Sequence, residues 1–304
     1  MEKIKPTPIL FLEEYSGNRI YVMRDDLIPF SFGGNKVRKA MLFFQEIDQG
    51  AYDTVVTYGS GSSNHCRVIA NMAAARNMKC VVISTDKECA GMNRQLIVEC
   101  FGAQVITCET VEVAATIDKT LRRLKEEGKK PFFIPGGGHG NTGTKAYDLA
   151  YDEIARYSEE TNTAFDYIFL ASGTGTTQAG LICGKMRHEA HDQKIVGISI
   201  ARKNPRGGQV IAESVKDYIG EDPGEHLLFE DGYICGGYGC RDANVDRTIQ
   251  RILERHGLPL DPVYTGKAYA GMERYIAENG VTGANVLFIH TGGTPIFCDW
   301  VREV

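Results

Sequence analysis

Lys36 stands directly behind two glycines and an asparagine, in Ser31-Phe-Gly-Gly-Asn-Lys36-Val-Arg-Lys39, where a helical pattern begins. The positive end of a helix and nearby cations lower an amine's pKa, and only the neutral amine attacks a carbonyl, so the position suits a Schiff-base lysine. Taken alone it equally suits a solvated first-turn charge. A second cluster, Ser172-Gly-Thr-Gly-Thr-Thr-Gln-Ala-Gly180, follows the apolar run Tyr167–Ala171 and also opens a helical stretch. Its small residues, from Gly173 through Thr174, Gly175, Thr176 and Thr177, let backbone N–H groups converge at a helix N-terminus, which binds phosphate. The three threonine hydroxyls are further donors. A third turn, Gly59-Ser-Gly-Ser-Ser63-Asn64-His65-Cys-Arg67, offers amides and hydroxyls that suit a carboxylate, although Ser63 or Asn64 also fits as a plain helix N-cap. A fourth, Pro135-Gly-Gly-Gly-His-Gly-Asn-Thr142, would let a ligand approach the backbone but carries no distinctive chemistry.

The phosphate turn excludes two familiar nucleotide sites. A dinucleotide fingerprint needs Gly at 178, where Gln stands, and an acidic end to the next strand, which reads GISIARK. A Walker loop needs GxxxxGK followed by Ser or Thr, which the chain lacks. A site for one phosphate remains. A phosphate cradle, an imine-forming lysine and a carboxylate pocket, all on βα turns, together point to pyridoxal 5'-phosphate (PLP) acting on an amino acid.

The elements that must position these turns alternate along the chain. Candidate strands are Arg19–Arg24, Thr54–Tyr58, Cys80–Ser84, Gln104–Cys108, Phe132–Pro135, Tyr167–Ala171, Ile195–Ile200 and Val286–His290, with helical patterns between them. Runs such as TVVTY, YIFLA and NVLFI are apolar throughout, as expected of parallel strands covered by helices on both faces. The fold class is therefore α/β, with mostly parallel sheets in two three-layer lobes. The spacing predicts a small domain over 45–135 and a large PLP-binding domain from 1–44 and 136–304. Ligands of open α/β sheets bind at the strand C-termini, where these turns converge.

Composition narrows the partners. The 304 residues carry 34 basic and 39 acidic side chains, a net charge of -5, with no Lys/Arg block for nucleic acid. No run of 18 apolar residues suggests a membrane span, and the start MEKIKPTPILFLEEYSGNR has too short an apolar stretch for a signal peptide, so a cytoplasmic location is expected. Nine cysteines scattered through apolar segments suit reduced, mostly buried thiols. Cys235 and Cys240 are too far apart in sequence for a zinc knuckle, and His188-Glu-Ala-His191 is one residue short of HExxH, so no metal is expected.

The motifs GGNKVRK (33–39), SSNHCR (62–67), SGTGTTQAG (172–180), GYG (237–239), DPVYTGKAYAGM (261–272) and HTGGTP (290–295) resemble, in order, the fold type II PLP enzymes. They are most similar to the branch of 1-aminocyclopropane-1-carboxylate deaminase and D-cysteine desulfhydrase. The resemblance implies that Lys36 holds the cofactor as a Schiff base and shuttles the Cα proton. Asn64 would hydrogen-bond the cofactor's phenolic oxygen, and Gly173–Thr177 its phosphate. Ser63, with the N–H groups of Asn64 and His65, would take the substrate carboxylate. Tyr238 and Tyr264 match the branch's active-site tyrosine pair, and the branch usually forms homodimers.

Ring-opening deaminases of that branch place Glu after the DPVY tyrosine, opposite the pyridine nitrogen, and Leu before the last GG. Here Thr265 and Thr291 stand in those places, resembling the desulfhydrase type. A neutral hydroxyl leaves the pyridine nitrogen largely unprotonated and the electron sink weaker, which favours expelling a β-group. The expectation is β-elimination on D-cysteine to pyruvate, ammonia and hydrogen sulfide. Alternatives are cyclopropane deamination, elimination or replacement on L-cysteate, D-serine or O-acetylserine, and a catalytically silent metabolite-binding protein.

Overall fold

Alternating apolar runs and helical stretches become strands and covering helices in the computed structural model, which describes residues 5–60, 63–85 and 94–303. The chain starts with an antiparallel pair, β1 (Ile9–Tyr15) and β2 (Asn18–Arg24). It continues through α1 (Asn35–Gln49), β3 (Thr54–Tyr58), α2 (Asn64–Ala74), β4 (Lys79–Ser84), α3 (Arg94–Cys100), β5 (Gln104–Thr107), α4 (Val113–Glu126) and β6 (Pro131–Ile134). There follow α5 (Asn141–Thr161), β7 (Tyr167–Ser172), α6 (Thr176–Arg187), β8 (Lys194–Ser199), α7 (Arg206–Ile219) and β9 (Leu228–Glu230). The chain closes with α8 (Ala243–His256), α9 (Thr265–Glu278), β10 (Asn285–His290) and α10 (Thr294–Glu303).

Two units result. The first, Met1–Asn35 with Thr144–Val304, holds a six-stranded sheet in the order β1-β2-β10-β7-β8-β9, parallel except for β1. Its central strands are buried on both faces, with Phe169, Phe288, Ile198 and Tyr269 in the core. The second, Lys36–Gly143, holds a parallel four-stranded sheet in the order β5-β4-β3-β6, with Val56, Val81, Ile83 and Leu124 packed together.

The division differs from the expected 45–135, because α1 and the turn after β6 group with the second unit. Phe44 of α1 is fully buried, with the Arg76 guanidinium 4.7 Å from its ring, and Arg76 pairs with Asp48 at 2.6 Å. Lys39 and Phe43 cover Gly138, where a Cβ would lie 3.2 Å from Lys39 Cδ. Two strands lacked a sequence signal. β1 is an edge strand with a register shift at Phe11/Glu13 and mixed exposure, so its pattern has no clean period, and β9 spans three residues. Between Cys80–Ser84 and Gln104–Cys108 the sequence pattern is helical over Ala90–Phe101; the structure describes this helix from Arg94, and residues 86–93, Cys89 among them, lie outside the described residues.

The thiols also depart from expectation. Of the eight described cysteines, all free, only Cys66, Cys80 and Cys183 are buried; Cys100, Cys240 and Cys298 are exposed because they occupy solvent faces of a turn and helices. His188 caps the end of α6 and pairs with Asp152 at 2.7 Å. Among the described residues no group of side chains could hold a metal, and no helix is long and apolar enough to cross a membrane.

Candidate active site

At the C-terminal edge of the six-stranded sheet, two glycine turns meet backbone to backbone. Gly34 has φ +97, and a Cβ there would lie 2.6 Å from Thr291 O; a Cβ on Gly292 would lie 2.8 Å from Gly34 Cα. No side chain fits either place, which explains GGN and TGG. The close approach lets Asn35 N donate to Thr291 O (3.0 Å), while Asn35 Nδ2 donates to Thr177 Oγ1 (3.1 Å). The start of α1 is thus tied both to the turn after β10 and to the 173–177 turn, and the next residue is Lys36. Gly34→Ala is expected to destabilise the protein by about 2 kcal/mol through left-handed strain and this contact, read as a lower urea midpoint at unchanged m.

The 173–177 turn has the form a phosphate requires. Gly175, with φ +86, is the N-cap of α6; a Cβ there would lie 2.7 Å from Ile211. Thr176 and Thr177 open the helix, so their N–H groups have no intrahelical acceptor. The Thr174 and Thr176 hydroxyls lie 3.4 Å apart, and Arg202 holds the turn by donating to Gly173 O at 2.8 Å. Gln178 packs back against Gly197 and donates to Leu228 O (2.6 Å), so it serves packing where a dinucleotide site would need glycine.

Asp261 organises the start of α9. Its fully buried carboxylate accepts from the amides of Val263, Tyr264 and Thr265 and from the Thr265 hydroxyl (2.7 Å), which itself accepts from Asp261 N. Burial pushes this carboxyl up, against the pull of those bonds. Thr265, expected to contact the cofactor, is instead fully buried with its only proton given to Asp261. The hydroxyl of Thr291 has no partner among the described residues. Tyr264 precedes α9 and its hydroxyl lies 2.6 Å from that of Tyr238, the rings edge to face at 6.1 Å. Tyr238 rides on a loop stapled by Lys267, a buried ammonium donating to Ile200 O, Ile234 O and Gly237 O at 3.1, 2.9 and 2.8 Å. A lysine inside an apolar helix face carries no sequence sign of that role.

In the second unit, Lys36 Nζ donates to Gly137 O at 3.0 Å, giving the glycine-dense turn after β6 a task the sequence did not suggest. Burial pushes Lys36 down to about 8, with the Cys66 thiol opposing; burial, rather than the helix end or neighbouring cations, is the main cause. About a tenth of the amine is then neutral at pH 7. The rate at which cofactor-free protein captures PLP should therefore climb with pH up to about 8 and level off above it, as stopped-flow absorbance would register. One turn further along α1, Lys39 is 1% exposed and its Nζ has no hydrogen-bond partner among the described residues; burial first, then the Lys36 charge, hold it well below the usual lysine range.

Ser63 is the N-cap of α2, accepting from His65 N (3.2 Å) and Cys66 N (3.4 Å). The His65 amide, expected to bind a carboxylate, is thus engaged by Ser63, whereas the Ser63 hydroxyl keeps its own proton to donate. The His65 ring is buried; its Nε2 lies 2.8 Å from Thr57 Oγ1, which gives its proton to Ile134 O. Thr57 must then accept, so His65 carries its proton on Nε2, and burial, followed by the charges of Lys36 and Lys39, keeps the ring neutral. Asn64 Oδ1 accepts from Arg67 at 3.1 Å. Ser62 lies outside the described residues.

Residues 1–292 match the family described as pyridoxal-phosphate dependent enzyme. The chain belongs to that family. It is 34% identical over 297 residues to the D-cysteine desulfhydrase of Serratia proteamaculans, covering 93% of this chain and 89% of that one. It is 31% identical over 305 residues to the D-cysteine desulfhydrase of Salmonella paratyphi A, covering 95% and 92%. A solved structure of an ACC deaminase homologue superposes with a TM-score of 0.87 at 32% identity, covering 98% of this chain and 94% of that chain. The family's cofactor is PLP, and the residues here fit it. Gly175 turns the 173–177 backbone where no Cβ fits, Lys36 is a depressed amine, and Lys39 Nζ is buried with no hydrogen-bond partner among the described residues.

Proposed function

We propose that this enzyme is a lyase that eliminates the β-substituent of a small amino acid, D-cysteine foremost, releasing pyruvate, ammonia and hydrogen sulfide. The reading is supported by two desulfhydrases alike over nearly their whole length and by hydroxyls, Thr265 and Thr291, where the ring-opening deaminases carry Glu and Leu. When bound, PLP supplies an electron sink that makes the substrate's Cα proton acidic.

The chain's residues do the rest. Lys36 Nζ would hold the cofactor and, once freed, would accept the substrate's Cα proton; its pKa of about 8 suits both tasks near neutral pH. The Gly137 carbonyl orients that nitrogen. The amides of 173–177 would bind the phosphate, and Lys39, a buried amine with no hydrogen-bond partner among the described residues, would supply a cation for it. The Ser63 hydroxyl and the Asn64 amide take the substrate carboxylate. Thr291, whose hydroxyl has no partner among the described residues, would donate to the cofactor's pyridine nitrogen. Of the tyrosine pair, one phenol protonates the departing thiolate while the other, 2.6 Å away, stabilises the phenolate left behind.

The observation that carries this reading is the depressed, largely buried Lys36 amine directly following the Asn35 that bonds to Thr177 of the phosphate turn. Keto-acid release from D-cysteine, L-cysteine, L-cysteate, D-serine, O-acetylserine and 1-aminocyclopropane-1-carboxylate, run in parallel, tests it. D-Cysteine should show the highest kcat/KM; preference for the cyclopropane or for an L-substrate would overturn it. The reading includes a homodimer in the cytoplasm, supported by family resemblance and checked by sedimentation and fractionation.

A further inference from the structure

Arg67 is a buried cation in an unfavourable place. Its side chain is 4% exposed, yet it lies within the first turn or so of α2, where the helix dipole repels positive charge. Burial lowers its pKa to about 10, which leaves it charged at neutral pH. The helix start does not need it, because Ser63 already caps the first amides. Its bond from Nη2 to Asn64 Oδ1, at 3.1 Å, therefore calls for a different reason.

A guanidinium has donors only, so the Asn64 atom facing it must be the carbonyl oxygen. The amide cannot flip while Arg67 is present, because flipping would set two donors against each other. Asn64 Nδ2 is consequently turned away from Arg67, and among the described residues it has no partner. The cation behind the amide also polarises its N–H bonds and strengthens them as donors.

We infer that Arg67 is a positioning residue that locks the Asn64 side chain as a one-way donor toward an anionic oxygen, the ring oxygen of bound PLP. The inference rests on the functional reading above and adds to it the residue that decides which edge of Asn64 the cofactor meets. Without that lock, Asn64 could turn its own oxygen toward the cofactor's, a repulsive arrangement.

The test uses Arg67→Gln, Arg67→Lys and Asn64→Ala, read by PLP affinity in equilibrium dialysis and by the visible absorption of bound cofactor, which responds to protonation of the ring oxygen. Gln can donate or accept and so frees the amide. Arg67→Gln should weaken PLP binding about tenfold, the scale of one charge-assisted hydrogen bond, and shift the visible band, whereas Arg67→Lys should keep the band. In an Asn64→Ala background, changing Arg67 should alter affinity less than twofold, since it acts through Asn64. A band and affinity within twofold of the parent in Arg67→Gln, or losses that multiply with Asn64→Ala, would overturn the inference. Should Arg67→Gln fail to fold, Asn64→Asp decides: it keeps Arg67 bound and presents only oxygen outward, so the same shift is expected and an unchanged band refutes. Borohydride fixation of cofactor on Lys36 in the parent protein separates the two failures. Absent fixation sinks the functional reading itself; fixation with an unresponsive Arg67→Gln sinks this inference alone.

Discussion

Keto-acid release from D-cysteine should fall at least about 10^3-fold in Lys36→Ala, and borohydride should no longer fix cofactor to the chain. The size follows from two duties resting on one nitrogen. On the proposed reading Lys36 Nζ both binds the cofactor and moves the Cα proton, and its buried neighbour Lys39 is held well below the usual lysine range. Lys39 does not substitute, since it is sealed at 1% exposure. Lys36→Arg should be as inactive as alanine, because a guanidinium keeps its proton and cannot attack a carbonyl. Steady-state kinetics with mass spectrometry of the reduced protein reads both. An alanine variant that kept the parent rate would remove the basis of the mechanism.

Lys39→Met should produce two effects of opposite sign. Affinity for PLP should drop about 10- to 100-fold, the value of a buried charge-assisted contact to a phosphate. Pyridoxal, which lacks the phosphate, should bind within twofold of the parent. The cofactor-free protein, in contrast, should melt at a higher temperature. Without an anion, Lys39 is a buried amine with no hydrogen bond among the described residues, and a methionine of similar length removes that desolvation penalty. Equal losses for pyridoxal and PLP would assign Lys39 a task other than phosphate binding. Thermal melts with and without PLP, and titrations with both ligands, resolve the two effects.

Much of this site was written in local composition. A βα turn announces itself by glycine and hydroxyl residues after an apolar run, so 33–36, 63–65 and 172–180 stood out, and the strands feeding them are buried on both faces and hence apolar throughout. What stayed hidden depends on neighbours distant in sequence. Lys39 looks like any helix-surface lysine until tertiary packing encloses it. Gly137 contributes a carbonyl, which every residue owns. Thr265 drew attention by standing where the ring-opening deaminases carry Glu, but that Asp261, four residues earlier, takes its proton is visible only in the folded chain. The cause of the Lys36 shift was misplaced for the same reason: burial is a property of the folded chain, whereas the helix end is visible in the sequence. β1 escaped because an antiparallel edge strand half open to water needs neither strict alternation nor unbroken apolarity.

The pairing of β2 with β10 carries a consequence for biosynthesis. These neighbours come from opposite ends of the chain, with the entire Lys36–Gly143 segment lying between them. All four strands of β5-β4-β3-β6 lie within Thr54–Ile134, so on a ribosome that sheet can assemble while the larger one still lacks β10, the strand between β2 and β7. Only when β10 emerges does Thr291 arrive to receive the Asn35 amide. The nascent polypeptide would thus carry its nucleophilic amine for most of translation before acquiring the backbone contact that anchors it, and vitamin B6 capture becomes one of the last events in maturation.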